Sequence, residues 1–328
     1  MDFDAATDGS TPPGGRPRGT AIWMVGAAAL LLATLLAAAR VGERPGALSN
    51  WQALVLGLVQ GLTELLPISS SGHLIVVPWL GGWRYLQEND EFNQTFDVAL
   101  HLGTLIAVAG YFRRDLFALG AALVSVLRTR RMQRPEERVA IVVAVATVPA
   151  ALVGAAGESV IANRLGEPWQ IAILLAVFAV VLWLADRRPA RREMASLGPG
   201  TALAIGLAQS LSLAPGVSRS GITISAGRFL GLDRDSAARL SFLLLVPITF
   251  GAIAFKGVTE VLLGDLPAGT GGPFVVGTLA SAASGLFAIW ALLGYVRRHD
   301  YSLFVVYRLL AAAAVLLLIA TGVRAATF

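Results

Sequence analysis

Long apolar runs separated by short polar or arginine-bearing connections set the pattern of this chain. Runs of spanning length fall at about 21–40, 96–112, 139–157, 169–186, 237–257, 273–294 and 304–323. Two stretches break the pattern. Residues 51–66 and 67–80 are each too short to cross a bilayer comfortably, and Pro67 divides them. Residues 200–215 and 219–231 are divided in the same way at Pro215-Gly216. Proline removes a backbone donor and clashes with the preceding turn, so a helix ends there. Non-helical backbone at membrane depth is tolerated only where it is buried in protein or lines a cavity, so each stretch predicts a re-entrant helical hairpin.

The two broken stretches are related. Gly57-Leu-Val-Gln60 and Gly206-Leu-Ala-Gln209 open them, and each continues through Leu and Pro to a Ser-x-Ser-Gly element, with a one-residue slip. In both halves a hairpin precedes three spans. The expected fold is therefore an all-α polytopic membrane protein built as an inverted-topology repeat, with halves at about 50–190 and 198–325. It has two re-entrant hairpins and about seven spanning helices, six in the core and one amino-terminal addition. Residues 1–20, rich in Gly and Pro, predict a disordered cytoplasmic tail. Residues 21–46 hold the added helix, and 47–328 form the membrane domain. A signal peptide is the alternative for 21–40, but the run is long for one and lacks a clear cleavage context.

Composition agrees with a membrane class: 55% of the 328 residues are hydrophobic and only 14% charged, with a mean hydropathy of +0.68. The net charge of +5 does not signal nucleic acid, because the basic residues sit in short connections between apolar runs. Arg113 to Arg138, Arg187 to Arg192, and Arg297-Arg298 fill three such connections. If these are cytoplasmic, the amino terminus is inside, the carboxyl terminus outside, and the two hairpins enter from opposite faces. The absence of cysteine excludes disulfides and thiolate metal sites.

The hairpins carry the candidate chemistry. Gln60 and Glu64 are four residues apart and share a helical face. A carboxylate beside an amide oxygen can hold a hard divalent cation that also touches phosphate oxygens. Ser69, Ser70 and Ser71 follow the proline break, where serines commonly cap free amides. Ser70 and His73 are three apart, a spacing that suits a hydroxyl nucleophile and its base. In the second hairpin, Gly216 permits close backbone approach, and Arg219 offers a planar fork for two phosphate oxygens. Ser218, Ser220 and Thr223 add hydroxyls around it. The alternative for Arg219 is a buried ion pair with Glu64 that is structural only. His101 is read as a satisfied helix residue. Arg308, beside Tyr307, either faces the cavity or snorkels, and the spacing of Arg228 and Arg239 decides nothing.

With these motifs in place, residues of about 50–325 resemble the undecaprenyl-diphosphate phosphatase family linked to bacitracin resistance. Gln60-x-x-x-Glu64, Pro67-Ile-Ser-Ser-Ser-Gly-His73 and Pro215-Gly-Val-Ser-Arg-Ser-Gly-Ile-Thr223 carry the likeness. The resemblance implies an integral enzyme of the bacterial plasma membrane that hydrolyses undecaprenyl pyrophosphate to the monophosphate lipid carrier. It also implies a divalent cation, Mg²⁺ or Ca²⁺, and a role in carrier recycling for cell-wall synthesis; it sets no oligomeric state. Position 60 is glutamine where some members have a second glutamate, which lowers the charge available to a metal. Another lipid-phosphatase class shares Ser-Gly-His and Ser-Arg elements, but here the sole lysine, Lys256, follows both, and no histidine follows Arg219 before His299. The remaining alternative from the repeat architecture is a polyprenyl-phosphate flippase without hydrolysis.

Overall fold

A capping box starts the first helix among the described residues: the Gln52 amide donates to Ser49 Oγ, and the Ser49 amide donates to Gln52 Oε1. This computed structural model describes residues 48–83, 90–256 and 271–327. The predicted tail at 1–20 and the predicted helix at 21–46 lie outside the described residues. Among the described residues there are eleven α-helices. The first half comprises α1 (Asn50–Leu65), α2 (Ser70–Gly81), α3 (Asp90–Tyr111), α4 (Arg113–Thr129), α5 (Pro135–Arg164) and α6 (Pro168–Asp186). The second comprises α7 (Pro199–Ser210), α8 (Arg219–Phe229), α9 (Arg234–Lys256), α10 (Gly271–Val296) and α11 (Ser302–Ala320).

At 1.5 Å per residue, α1 and α2 reach only about 24 and 18 Å, short of a bilayer core of roughly 30 Å. The breaks expected at Pro67 and Pro215-Gly216 both occur. By length and composition α5, α6, α9, α10 and α11 can each cross a membrane, and α3 with α4 makes a sixth span if the bent pair is counted as one. The chain is therefore an all-α polytopic membrane protein.

One connection differs from expectation. Residues 113–129, read as part of an arginine-filled loop, form α4, set at 83° to α3. Arginine is a good helix former, and Leu116, Leu119 and Ala122 supply an apolar stripe that packs on the core. The charges at the ends of this segment hid a stripe of only three positions.

Packing between the halves is reciprocal. α1 lies along α10, and α7 lies along α5; α3 touches α10, and α9 touches α5; α6 pairs with α11. Exchanging the two halves maps this set of neighbours onto itself. The closest approaches use glycines at equivalent places. A Cβ on Gly57 would sit 2.4 Å from the Gly277 carbonyl oxygen of α10, and one on Gly206 would sit 2.7 Å from the Ala146 carbonyl oxygen of α5. Only a residue without a side chain fits either crossing. In α10 67% of its most apolar window is buried, against 28% in α11, so α10 is central and α11 peripheral.

The arginine-bearing connections gather at one end of the bundle. The amides of Arg191 and Arg192 donate to the Gly231 carbonyl, Arg234 pairs with Asp186, and Arg297 pairs with Asp235. Arg138 and Met132 face Ser196 and Gly198 across a small cleft at the same end. The chain's last residues lie beside the far end of α2, where Trp79 Nε1 donates to the Ala325 carbonyl at 3.2 Å.

Candidate active site

The two hairpin turns are built alike. Ser69 caps α2 and Ser218 caps α8, each accepting a bond from the amide three residues on, Gly72 and Gly221. Both serines hold positive φ, 76° and 77°, a conformation costing about 1–3 kcal/mol for a residue with a Cβ. The cost is met by the hydrogen bonds that fix the turns. Serines after a helix break therefore do cap, as the common use of such residues suggests. The residue following each strained serine is the first of its helix: Ser70 in one half and Arg219 in the other.

These two counterparts meet on one carboxylate. Glu64, in the last turn of α1, is 6% exposed. Its Oε1 accepts from Arg219 Nε at 3.1 Å, and its Oε2 accepts from Ser70 Oγ at 2.5 Å. Gln60 Nε2 lies 3.4 Å from the same Oε2. An unpaired carboxylate at this depth costs several kcal/mol, and one partnered by a guanidinium and a hydroxyl is tolerated. Arg219 is also held by α9: Nη1 donates to the Ser241 carbonyl at 2.8 Å. Its Nη2 has only a marginal contact with the Glu64 carbonyl, at 3.5 Å. That edge of the guanidinium is the least committed.

Other expected site residues are differently employed. Spacing paired Ser70 with His73, but no hydrogen bond joins them among the described residues. The His73 ring instead contacts the Ser69 carbonyl through Nδ1 at 2.7 Å and the Tyr307 hydroxyl through Nε2 at 2.6 Å. A carbonyl only accepts, so Nδ1 carries a proton and the neutral ring takes the Tyr307 proton at Nε2. Ser70 turns instead to Glu64, which sits across the break. Gly216 uses its amide on Ser69 Oγ at 3.1 Å. Ser220 donates to the Leu66 carbonyl at 2.8 Å, and Thr223 donates to Ser241 Oγ at 2.8 Å. Ser69, Gly216 and Ser220 thus lock the hairpins together, Ser218 caps its own helix and Thr223 ties α8 to α9, so the polar groups of all five are engaged by protein. Ser71 is half-buried, and its hydroxyl makes no hydrogen bond among the described residues.

Three contributors were missed. His101, on α3, brings Nε2 to 3.7 Å from Glu64 Oε2; the sequence treated it as a satisfied helix residue, and its Nδ1 does bond the Asp97 carbonyl. Ser241 was not singled out, being a small hydroxyl in an apolar run. Arg308 neither snorkels nor opens on a cavity. It is fully buried and donates to the carbonyls of Leu175, Pro67, Gly216 and Val217 at 2.9–3.2 Å. It therefore spans both hairpin turns. A guanidinium in the middle of an apolar span was the available signal.

The residues fit a divalent cation in a limited way. Gln60 Oε1 is buried without a hydrogen-bond partner, next to the Glu64 carboxylate. Gln209, at the equivalent place, has the same orphaned oxygen but faces no carboxylate, since Leu213 stands where Glu64 does. No group of three or more His, Cys, Asp or Glu side chains clusters among the described residues. The protein offers few donors of its own, the manner of a magnesium-type site completed by phosphate and water.

Fold and site together define a multi-pass helical membrane protein with a buried carboxylate–guanidinium centre between two broken helices. The chain belongs to the bacitracin resistance protein BacA family, whose model matches residues 53–314. A protein of Pelobacter propionicus named undecaprenyl-diphosphatase is 46% identical over 275 residues, 83% of this chain and 97% of that relative. Undecaprenyl-diphosphatases of Geobacter sulfurreducens and Thermomicrobium roseum are 48% and 44% identical, over 80% and 84% of this chain and 96% and 99% of the relatives.

Proposed function

We propose that this protein hydrolyses undecaprenyl pyrophosphate to undecaprenyl phosphate and inorganic phosphate, the activity named for its relatives. The observation that carries the reading is Glu64, held between Ser70 of one hairpin and Arg219 of the other. A hydroxyl nucleophile in contact with a base, itself oriented by a third group, is the arrangement that activates a serine. The pyrophosphate head enters between the hairpins while the prenyl chain stays in lipid. Ser70 Oγ attacks the terminal phosphorus and passes its proton to Glu64. The bond from that phosphorus to the bridging oxygen breaks, and the lipid monophosphate leaves. Water then attacks the phosphoserine and releases phosphate, restoring Ser70.

Arg219 serves both ends of this step. Nε fixes the base, and the uncommitted Nη2 edge is available to phosphate oxygens. α2 and α8 both begin at the site, so two helix amino termini face the developing negative charge. Positioning and charge stabilisation of this kind dominate phosphoryl transfer. Glu64 and Gln60 are the residues that would hold the Mg²⁺ or Ca²⁺ ion, which when bound neutralises phosphate charge. His73, held by Ser69, takes up the proton of the second-step water through the Tyr307 hydroxyl, whose own proton passes to Nε2.

The proposed setting is the bacterial plasma membrane, with the amino terminus cytoplasmic, the carboxyl terminus outside and the repeat inverted. Gathering of the arginine connections at one end supports this. So does the placement of α8 at that end and of α2 at the other, which gives the hairpins opposite mouths. The role that follows is recycling of the lipid carrier for cell-wall synthesis.

Phosphate release from undecaprenyl pyrophosphate by the detergent-purified chain, with and without chelator, tests the proposal. Release by the wild type, lost in Glu64→Ala, is expected. Movement of lipid between leaflets with no phosphate released would replace hydrolysis by carriage.

A further inference from the structure

A polar cavity lies well away from Glu64. It has a volume of about 700 Å³ and opens at the arginine-rich end of the bundle, between α6, the α8–α9 turn and the α10–α11 turn. Arg228, at its wall, is nine residues along α8 from Arg219, or about 13 Å. The two sites share no residue.

The charges lining this cavity do not cancel locally. Five arginines and four aspartates face it. Every aspartate is already engaged. Asp186 takes Arg234 at 2.7 Å, Arg228 at 3.4 Å and the Tyr301 amide at 2.9 Å. Asp235 takes Arg297 at 2.9 Å and also Arg239, from outside the cavity, at 2.6 Å. Asp233 caps the Ser236 amide, and Asp300 caps the Ser302 amide. Arg187 and Arg188 remain without a carboxylate partner among the described residues. Each is exposed and rests on an aromatic plate, Arg187 3.5 Å from the Trp183 ring centre and Arg188 5.9 Å from that of Phe229. Deeper in, Arg228 is 4% exposed and committed to protein: its Nη atoms donate to the carbonyls of Leu232, Asp186 and Arg188, and its Nε lies 3.4 Å from Asp186.

Two guanidiniums at the rim without carboxylate partners, beside a cavity whose aspartates are all engaged, make an anion site. Its position narrows the ligand. Trp183 closes an apolar helix at the level where tryptophans mark the bilayer surface, and exposed Val180 and Leu184 flank it toward lipid. Basic pockets between helices at that depth suit phosphate head groups. We propose that this cavity binds a phosphate-bearing anion at the membrane surface, with Arg187 and Arg188 as its principal contacts. The site is separate from the phosphatase centre and does not depend on that reading.

The test uses the full-length chain in a neutral detergent. Thermal stabilisation is titrated with dioleoylphosphatidylglycerol, with dioleoylphosphatidylcholine as the uncharged control. The wild type is expected to be stabilised by the anionic lipid only. R187Q/R188Q is expected to weaken its apparent affinity about 30-fold, the size that two charges facing lipid phosphate give. Phosphate release from the pyrophosphorylated lipid should stay within about twofold, which shows that the variant folds; the single variants R187Q and R188Q should each give part of the loss. R130Q/R131Q, at another exposed arginine pair of the same end, should bind as wild type. Competition by inorganic phosphate identifies free phosphate as a ligand, and its absence identifies a lipid head group; both outcomes support the site. Equal affinity in wild type and R187Q/R188Q, equal loss in R130Q/R131Q, or equal stabilisation by phosphatidylcholine would overturn it.

Discussion

Arg308 fastens the two hairpins to each other, and replacing it by lysine should loosen both. Its four carbonyl acceptors belong to α6 and to the two turns: Leu175, Pro67, Gly216 and Val217. Lysine keeps the charge but has a single nitrogen and no planar fork, so it reaches at most two of these oxygens. At least two buried carbonyls are then left without partners, at about 1–3 kcal/mol each. Arg308→Lys should thus cost about 2–6 kcal/mol, and Arg308→Met, which abandons all four acceptors, should cost more. In detergent this should appear as a fall in the unfolding midpoint of about 3–9 °C for lysine. Turnover should fall as well, measured well below that midpoint, because Pro67 and Gly216 belong to the turns that set Ser70 and Arg219. If Arg308→Lys kept both its unfolding midpoint and its turnover, the clasp would have no energetic meaning and the reasoning would fail.

Further expectations concern the site and its packing. Ser70→Ala should lower phosphate release at least about 10³-fold if Ser70 is the nucleophile; a loss of only about tenfold would leave it as a positioning group and give the attack to His73 or water. Gln60→Ala should raise the Mg²⁺ or Ca²⁺ concentration for half-maximal activity by about 10–100-fold, and chelator should abolish activity in the wild type, reversibly on adding the cation back. An unchanged metal requirement would remove Gln60 from the cation site. Gly57→Val should prevent normal assembly, since its Cβ would lie 2.4 Å from the Gly277 carbonyl oxygen; recovery of a monodisperse, active variant would contradict the close crossing of α1 and α10.

Much of this fold was legible because its constraints are local. Pro67 and Pro215-Gly216 break helices wherever they fall, and the spanning runs declare themselves by length. The meeting of Glu64 with Arg219 followed from reading the two hairpins as one repeated unit facing itself. What sequence could not supply was the choice of partner across helices. His101 reaches Glu64, Ser241 holds Arg219, and Tyr307 holds His73 over separations that only the packing of α3, α9 and α11 decides. The Ser70–His73 pairing failed for a related reason: helical spacing describes neighbours within α2, and Glu64 approaches from beyond the break. α4 was hidden by its arginines, which read as a connection although they also favour helix.

The account turns on whether the Glu64–Arg219 pair performs chemistry or merely holds the hairpins together. Glu64→Gln keeps the size and much of the hydrogen bonding of the side chain while removing its charge, so it separates the two. The most direct measurement is single-turnover phosphate release by this variant at saturating undecaprenyl pyrophosphate, on protein shown to be folded. The account predicts a loss of at least about 10³-fold with Arg219 still in place; release within a few-fold of wild type would mean that this carboxylate is a structural partner and that the reaction is carried elsewhere.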